Sequence, residues 1–280
     1  MMSRALRRRI WNGLFIGATA LATVVALVAL FLILWSLLTQ GAAGLGPAIF
    51  AEDTPAPGSP GGLRNAIVGS LIMCGVGMVI ALIVGILAGT WLSEYGGRSR
   101  YAHVVRFLND VLLSAPSILV GLFVYEILVR PFEGFSAYAG AVALAFLATP
   151  VVVRTTEDIL SLQPGALREA GMALGAARAK VIRSIIWRGA RAGLVTGGLL
   201  GFARISGETA PLLFTSLGNQ YLNTDLSQPM AALPTTIFQF ALSAYDDWRQ
   251  LAWTGALLIA AAVLAINIIG RFLTRETRRS

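Results

Sequence analysis

The residues "EAGMALGAARAKVIRSII", Glu169 to Ile186, belong to a segment running from Arg154 to Gly193 that is longer and more structured than a turn. Pro164 suits the first turn of a helix, where its missing N–H costs nothing. Glu169 comes early and Arg178, Lys180 and Arg183 come late, the arrangement that complements a helix dipole. Leu167, Ala170 and Leu174 recur at spacings of three and four and form a small apolar face, while Gly171 and Gly175 keep another side thin and allow a close approach or a bend. After Ala177, Val181, Ile182, Ile185 and Ile186 share one face and Arg178, Arg188 and Arg191 take others, as in a helix lying along a membrane surface. Composition alone leaves two readings open: a docking element held out by two flanking helices, or a basic loop that only fixes topology.

Those flanking helices are apolar. Of 280 residues 56% are hydrophobic and only 13% charged, about half the charge of an ordinary soluble domain. Runs at Gly13–Leu38, Ala66–Leu92, Phe107–Val129, Ala137–Val153, Gly193–Leu217 and Leu251–Phe272 give six expected spans of an all-α integral membrane protein, each near the roughly 20 residues that cross a bilayer. Asp110, Pro116 and Glu126 interrupt the third, and the fourth has only 17 residues. The first, at 26 residues, exceeds the roughly 7 to 15 apolar residues of a cleaved signal and reads as an uncleaved span.

A net charge of +8 would point to nucleic acid on a soluble fold, but the basic residues are distributed by topology. Eighteen of the 22 lie in the N-terminus, the second-to-third connection, the fourth-to-fifth connection and the C-terminus; the opposite side holds Arg64, Arg130 and Arg249. Positive-inside bias then places both termini and both basic loops in the cytoplasm, and no nucleic-acid partner is required. Between the outer ends, Gln40–Arg64 is rich in Pro and Gly and is expected to hold little regular structure. Gly218–Gln250 has an apolar middle too short to cross, broken by Pro229 and Pro234, and is expected to form a short re-entrant or surface-lying helix.

Inventory argues against catalysis. The one histidine, His103, lies in a basic loop without metal-ligand spacing, and the one cysteine, Cys74, lies in an apolar run where it packs a helix. No catalytic residue, metal or cofactor is expected. The one lysine, Lys180, stands between Ala179 and Val181, so no phosphate-cradling G-x-x-x-x-G-K-[ST] loop exists. ATP-driven transport would need its ATPase on another chain; the alternative is an ion-coupled secondary transporter.

Two charges stand out in the fifth run. Arg204 and Glu208 flank its midpoint, Ile205, at a depth where a lipid-facing charge costs about 2.5 to 3.5 kcal/mol. Their four-residue spacing lets them pair on one helical face. Pro211 removes the bond its N–H would make to the Gly207 carbonyl and weakens the helix beside them. Gly193, Gly197 and Gly201 repeat every four residues as a strip for packing another helix. The pair either lies on a substrate path or neutralises itself and fixes packing. For an oxyanion the chemistry is apt, because guanidinium donors match phosphate oxygens in pairs and Glu208 can neutralise Arg204 while the path is empty. Arg154, ending the fourth run, would meet an anion at its exit or else snorkel as a topogenic residue.

"EAGMALGAARAKVIRSII" resembles the EAA loop of ABC-type importer permeases, with Glu169, Ala170, Gly175 and Ile185 at that family's spacing. Gly171 replaces the usual Ala, and Trp187-Arg188 the usual Leu-Pro, changes expected to alter the turn after the coupling helix without removing the docking surface. "ARISGETAPLLFTSLG", Ala203 to Gly218, and "NDVLLSAPSILVGLFVY", Asn109 to Tyr125, resemble the fifth and third spans of phosphate importer permeases of the PstA type. The resemblance implies the ABC importer permease fold, with Glu169, Ala170, Gly171, Leu174 and Gly175 in a coupling helix that fits a groove on an ATPase. It implies a first helix and outer loop over 1–65, and a five-helix core over 66–280 that includes the loop at 154–192. It also implies Arg204, Glu208, Arg154 and Asp225 along the substrate path, Asp225 shaping an outer gate or merely solvated. The implied partners are a second permease of the PstC type, an ATPase dimer of the PstB type and a periplasmic phosphate-binding protein of the PstS type, in a bacterial cytoplasmic membrane. Another oxyanion, molybdate or sulfate, is the alternative cargo.

Overall fold

A computed structural model describes residues 4–97 and 99–276, all in helices and connections. Of the basic residues counted toward orientation, Arg98, Arg278 and Arg279 lie outside the described residues, as do the side chains of Arg271 and Arg275. Helix α1 covers Arg4–Ala43, α2 Ala48–Ala51 and α3 Arg64–Trp91, the last extended by a wide π turn over Leu92–Gly96. Then come α4 (Arg100–Ser114), α5 (Ser117–Val124, with a π turn over Tyr125–Val129) and α6 (Ala137–Ser161). Next, α7 (Gly165–Ala173) and α8 (Arg178–Val181) lead through a π turn over Ile182–Ile186 into α9 (Trp187–Ile205). The chain closes with α10 (Ala210–Thr215), α11 (Leu233–Ala241) and α12 (Asp246–Glu276).

Among the described residues four helices are long and apolar enough to cross a membrane: Arg7–Ala43, Arg64–Gly96, Ala137–Ser161 and Asp246–Gly270. The expected third span differs from a straight crossing. It is a broken pair, Arg100–Ser114 and Ser117–Val129, bent by 106°. Pro116 drives its predecessor out of the helical region, and Ala115 accordingly sits extended at φ −66°, ψ 135°. The expected fifth span is also broken. Helix α9 stops at Ile205, Ser206–Thr209 forms a turn, and α10 restarts with Pro211 in its first turn, so Gly193–Leu217 is not one continuous helix. Pro211 has no N–H with which to continue the α9 bonding pattern, and the chain turns at that gap.

The two broken segments meet beyond their breaks. Gly121 of α5 lies so close to Pro211 of α10 that a Cβ there would stand 2.6 Å from the Pro211 Cα. Around them the core is built on α6, buried between α3 and α9. On one side Gly77, Gly85 and Gly89 of α3 admit Leu144, Val152 and Thr156; on the other, Gly193, Gly197 and Gly201 of α9 admit Ile159, Thr155 and Val152. Since lipid competes equally for apolar side chains, close backbone approach along such small-residue seams supplies the packing energy. The strip read from Gly193, Gly197 and Gly201 is therefore one face of this seam.

The connections within 40–64 and 218–250 are more ordered than their composition implies. Gln40 lies inside α1, α2 follows, and the Pro/Gly-rich stretch folds back so that Gly62, Leu63 and Arg64 donate to the carbonyls of Asp53, Ile49 and Glu52. Helix α11, nine residues long, is the expected non-crossing helix, and Leu233 and Phe240 bury it against α12 and the start of α3.

Candidate functional site: the break in α9–α10 and the α7 dock

Arg204 occupies the last turn of α9, and Glu208 lies in the turn that follows. Their side chains still pair, Arg204 Nη1 to Glu208 Oε1 at 3.7 Å, with the Glu208 side chain 12% exposed and the Arg204 side chain 44%. Glu208 is thus held by the break itself: its N–H donates to Ile205 and that of Ser206 to Phe202, bending the chain back toward the arginine. The pair couples the helix end to the turn, with most guanidinium donors left open, an arrangement that can receive an anion without first breaking a saturated network.

Arg154 does not join this pair. Its partners are Asp158 at 3.3 Å on α6 and Asp110 at 3.7 Å on α4. That contact supplies the partner which Asp110 lacks in the sequence, and Glu126 finds Arg130 one turn away at 2.7 Å. A second link one turn along joins Arg106 to Glu157 at 2.7 Å, and Asn109 donates to the Pro150 carbonyl, so α4 is tied to the end of α6 at three successive positions. Asp225 is exposed in the connection between α10 and α11, its carboxylate accepting from the backbone and hydroxyl of Ser227; these bonds hold it below the usual carboxylate range. From there the chain runs over the start of α6, where Leu226 and Gln228 carbonyls accept from Tyr138 and Ala137.

At the other end, α7 projects an apolar surface with nothing over it. Leu174 is 88% exposed, with Leu162, Met172 and Leu167 also exposed. Glu169 and Ala170 are exposed beside them. The opposite side is packed: Gly171 is buried, and a Cβ on it would lie 2.8 Å from Val181. Gly175 adopts φ +77°, a conformation that L side chains disfavour, and turns the chain from α7 toward α8. Val181 and Ile186 bury against Leu160 and Ala190, with Ile185 packed beside them, so the second amphipathic segment turns its apolar face into the helix bundle rather than onto a membrane surface.

Two residues at this end were not singled out in the sequence. Arg168, on α7, grips Glu94, whose side chain is 1% exposed at the end of α3. Its Nε lies 3.1 and 3.0 Å from the two carboxylate oxygens and Nη2 2.6 Å from Oε1, while Nη1 and Nη2 donate to the Gln163 and Leu160 carbonyls ending α6. The carboxylate raises the Arg168 pKa above its ordinary value. Arg178 adds a bond to the Glu94 carbonyl and stacks 4.6 Å over the Tyr95 ring. A lone acid ending an apolar span was the available signal.

A family profile described as "Binding-protein-dependent transport system inner membrane component" matches residues 81–279. The phosphate transport system permease protein PstA of Haemophilus influenzae is 50% identical over 271 residues, covering 97% of this chain and 96% of that protein. The protein of the same description from Pasteurella multocida is 52% identical over 264 residues, 94% of each chain. Among solved structures, a bacterial ABC transporter that imports the acidic polysaccharide alginate matches over 98% of this chain and 99% of its own, with a TM-score of 0.67 at 15% identity. The inward-facing methionine ABC transporter MetNI matches over 76% of this chain and 94% of its own, with a TM-score of 0.64 at 19% identity. The chain therefore belongs to the family of binding-protein-dependent transport system inner membrane components.

Proposed function

We propose that this protein is one of two membrane subunits of an ATP-driven importer of inorganic phosphate. The observation that carries the cargo is near-full-length identity of about half to proteins described as phosphate transport permeases. The open guanidinium of Arg204 beside Glu208, at a break in the helix, supports an anion path through this point. In this reading the anion displaces Glu208 from Arg204 during passage and the carboxylate returns afterwards, keeping the bound state brief. Arg154, between Asp110 and Asp158, receives it toward the cytoplasm, and Asp225 shapes the outer mouth by repelling anions unless the gate is open.

Energy comes from elsewhere. Glu169, Ala170 and Leu174 form the face that an ATPase subunit engages, supported by the exposure of Leu174 and the lack of an ion-pair partner for Glu169 among the described residues, while Gly171, buried against Val181, and Gly175, at the turn, set the position of that face rather than touching the ATPase. A second permease completes the path, an ATPase pair docks inside and a phosphate-binding protein delivers cargo outside. Residues 66–280 form the permease core, residues 1–65 an attached helix and outer loop, and both termini face the cytoplasm. Reconstitution of the assembled transporter in proteoliposomes tests this: ATP-dependent uptake of phosphate, unaffected by tenfold sulfate or molybdate, is the expected result. Preferential sulfate or molybdate uptake would reject the cargo, and uptake without any ATPase would reject the energy source.

A further inference from the structure

A cavity of about 310 Å³ lies between the end of α6 and the start of α9, lined by Ile159, Leu162, Gln163, Arg188, Gly189 and Arg191 among others. Gly189 leaves it open: a Cβ there would meet only the Gln163 side chain, at 2.9 Å. Arg188 and Arg191 are exposed and, among the described residues, neither has an acidic partner or a hydrogen bond, unlike Arg106, Arg130, Arg154, Arg168 and Arg204. At a spacing of three they stand on neighbouring positions of one helical flank. Two unpaired guanidiniums over one cavity form a bidentate receptor for a phosphate group.

The surroundings choose the source of that phosphate. Trp187, the adjoining residue, ties α9 to α3 through a 3.2 Å bond to Thr90, near the end of the apolar run Arg64–Gly96, the depth at which amphipathic rings concentrate in membrane proteins. Going into the membrane, the stripe Arg188, Ala192, Val195, Leu199 repeats at spacings of four, three and four. Val195 on it is 40% exposed, and Leu199 packs against Gly270 of α12. Beside that contact Ile269 and Phe272 of α12 are exposed. A charged mouth thus leads onto an apolar stripe that is exposed at Val195 and half-buried at Ala192 and Leu199. A free phosphate ion uses the mouth and has no use for the stripe; a phospholipid uses both.

We propose that Arg188 and Arg191 hold the headgroup phosphate of an anionic phospholipid, with its acyl chains running past Val195, at the arginine-rich face of the membrane. The site is separate from the Arg204 path and does not rest on the identity of the cargo. Native mass spectrometry of the detergent-purified assembled transporter, titrated with phosphatidylglycerol or with phosphatidylcholine, tests it. The expected result is retention of phosphatidylglycerol over phosphatidylcholine, weakened roughly 30-fold by Arg188→Gln with Arg191→Gln, from the loss of two basic residues at a membrane surface. Arg183→Gln, which removes an exposed charge outside the cavity, is expected to leave retention intact, and Arg188→Lys with Arg191→Lys to restore part of it. Equal retention by the double Gln variant overturns the proposal. So does displacement of the lipid by millimolar inorganic phosphate, which would make the site a free-anion site, or absence of the lipid whenever the ATPase is docked.

Discussion

Arg168 on α7 closes on Glu94 at the end of α3, with Nη2 2.6 Å from Oε1, and the same guanidinium also donates to the last carbonyls of α6. One side chain therefore joins the proposed docking helix to two membrane helices. Removing one member of a buried pair leaves the other charge unpaired, at a cost of about 3 to 5 kcal/mol. Arg168→Gln is expected to lower the thermal unfolding temperature and to separate ATP hydrolysis from uptake. Glu94→Gln with Arg168→Gln together, which leave no lone charge, should recover stability but not coupling. Parallel hydrolysis and uptake assays on both variants distinguish a strut that transmits motion from one that only stabilises.

Glycine at 175 is required by backbone geometry and at 197 by space. Gly175→Ala forces an L side chain to φ +77° and is expected to cost about 1 kcal/mol, weakening ATPase docking through a misdirected α7. Gly197→Ala would bring its Cβ to 2.5 Å from Thr155 Oγ1, a β-branched side chain already bonded to the Val151 carbonyl at 2.8 Å. Overpacking of this kind costs about 1 to 3 kcal/mol. Thr155→Ala on that background should recover most of the lost melting temperature, since it removes the atom in the way; no recovery would place the strain elsewhere.

Asp53 makes the clasp between the α2–α3 connection and the 218–225 segment sensitive to acid. Arg64 donates to it at 2.9 Å and the Leu222 backbone donates to its other oxygen at 2.9 Å, and together they hold its pKa below the ordinary value of 3.8. A carboxylate depressed in the folded state contributes stability that is fully present above its unfolded pKa and is lost as pH falls through the folded one. This clasp is thus expected to hold from neutral pH down to about 4 and to loosen below it. Hydrogen exchange at Leu222 should rise under acid in the wild type and be fast at every pH in Asp53→Asn, which lacks the charge.

The spans were legible where lipid dictates sequence: α1, α3, α6 and α12 each need an unbroken apolar run, and each has one. Pro116 and Pro211 marked the breaks, but not their geometry: the 106° bend goes with a close approach of Gly121 to Pro211, two residues on different segments, which local sequence does not specify. The glycine strip of α9 was readable as a repeat, whereas its counterpart on α3 was masked by Gly75 and the large residues between. Long-range ion pairs lay beyond sequence reasoning altogether. Arg154 finds Asp110 and Arg168 finds Glu94 only once α6 packs against α3 and α4, and Glu94 lies 74 residues from its partner. Within the α9–α10 break, spacing predicted the Arg204–Glu208 contact, but a continuous helix is not what provides it.

Because Glu208 sits in that break, charge and shape are separable by mutation. Arg204→Ala removes the anion's partner while leaving the Glu208 side chain, 12% exposed, in a turn rather than within a packed helix, so assembly with the partner subunits is expected to survive while phosphate uptake falls by about 100-fold or more. Glu208→Gln keeps the shape and loses the competing charge. With nothing to displace it, the anion should bind Arg204 for longer, lowering the half-saturating phosphate concentration and the maximal rate together. A pair that served packing alone predicts the opposite pattern: both variants would lose assembly, and neither would shift phosphate dependence. Uptake kinetics against phosphate concentration, with complex recovery measured alongside, separate the two, and normal uptake by Arg204→Ala would remove this residue from the path.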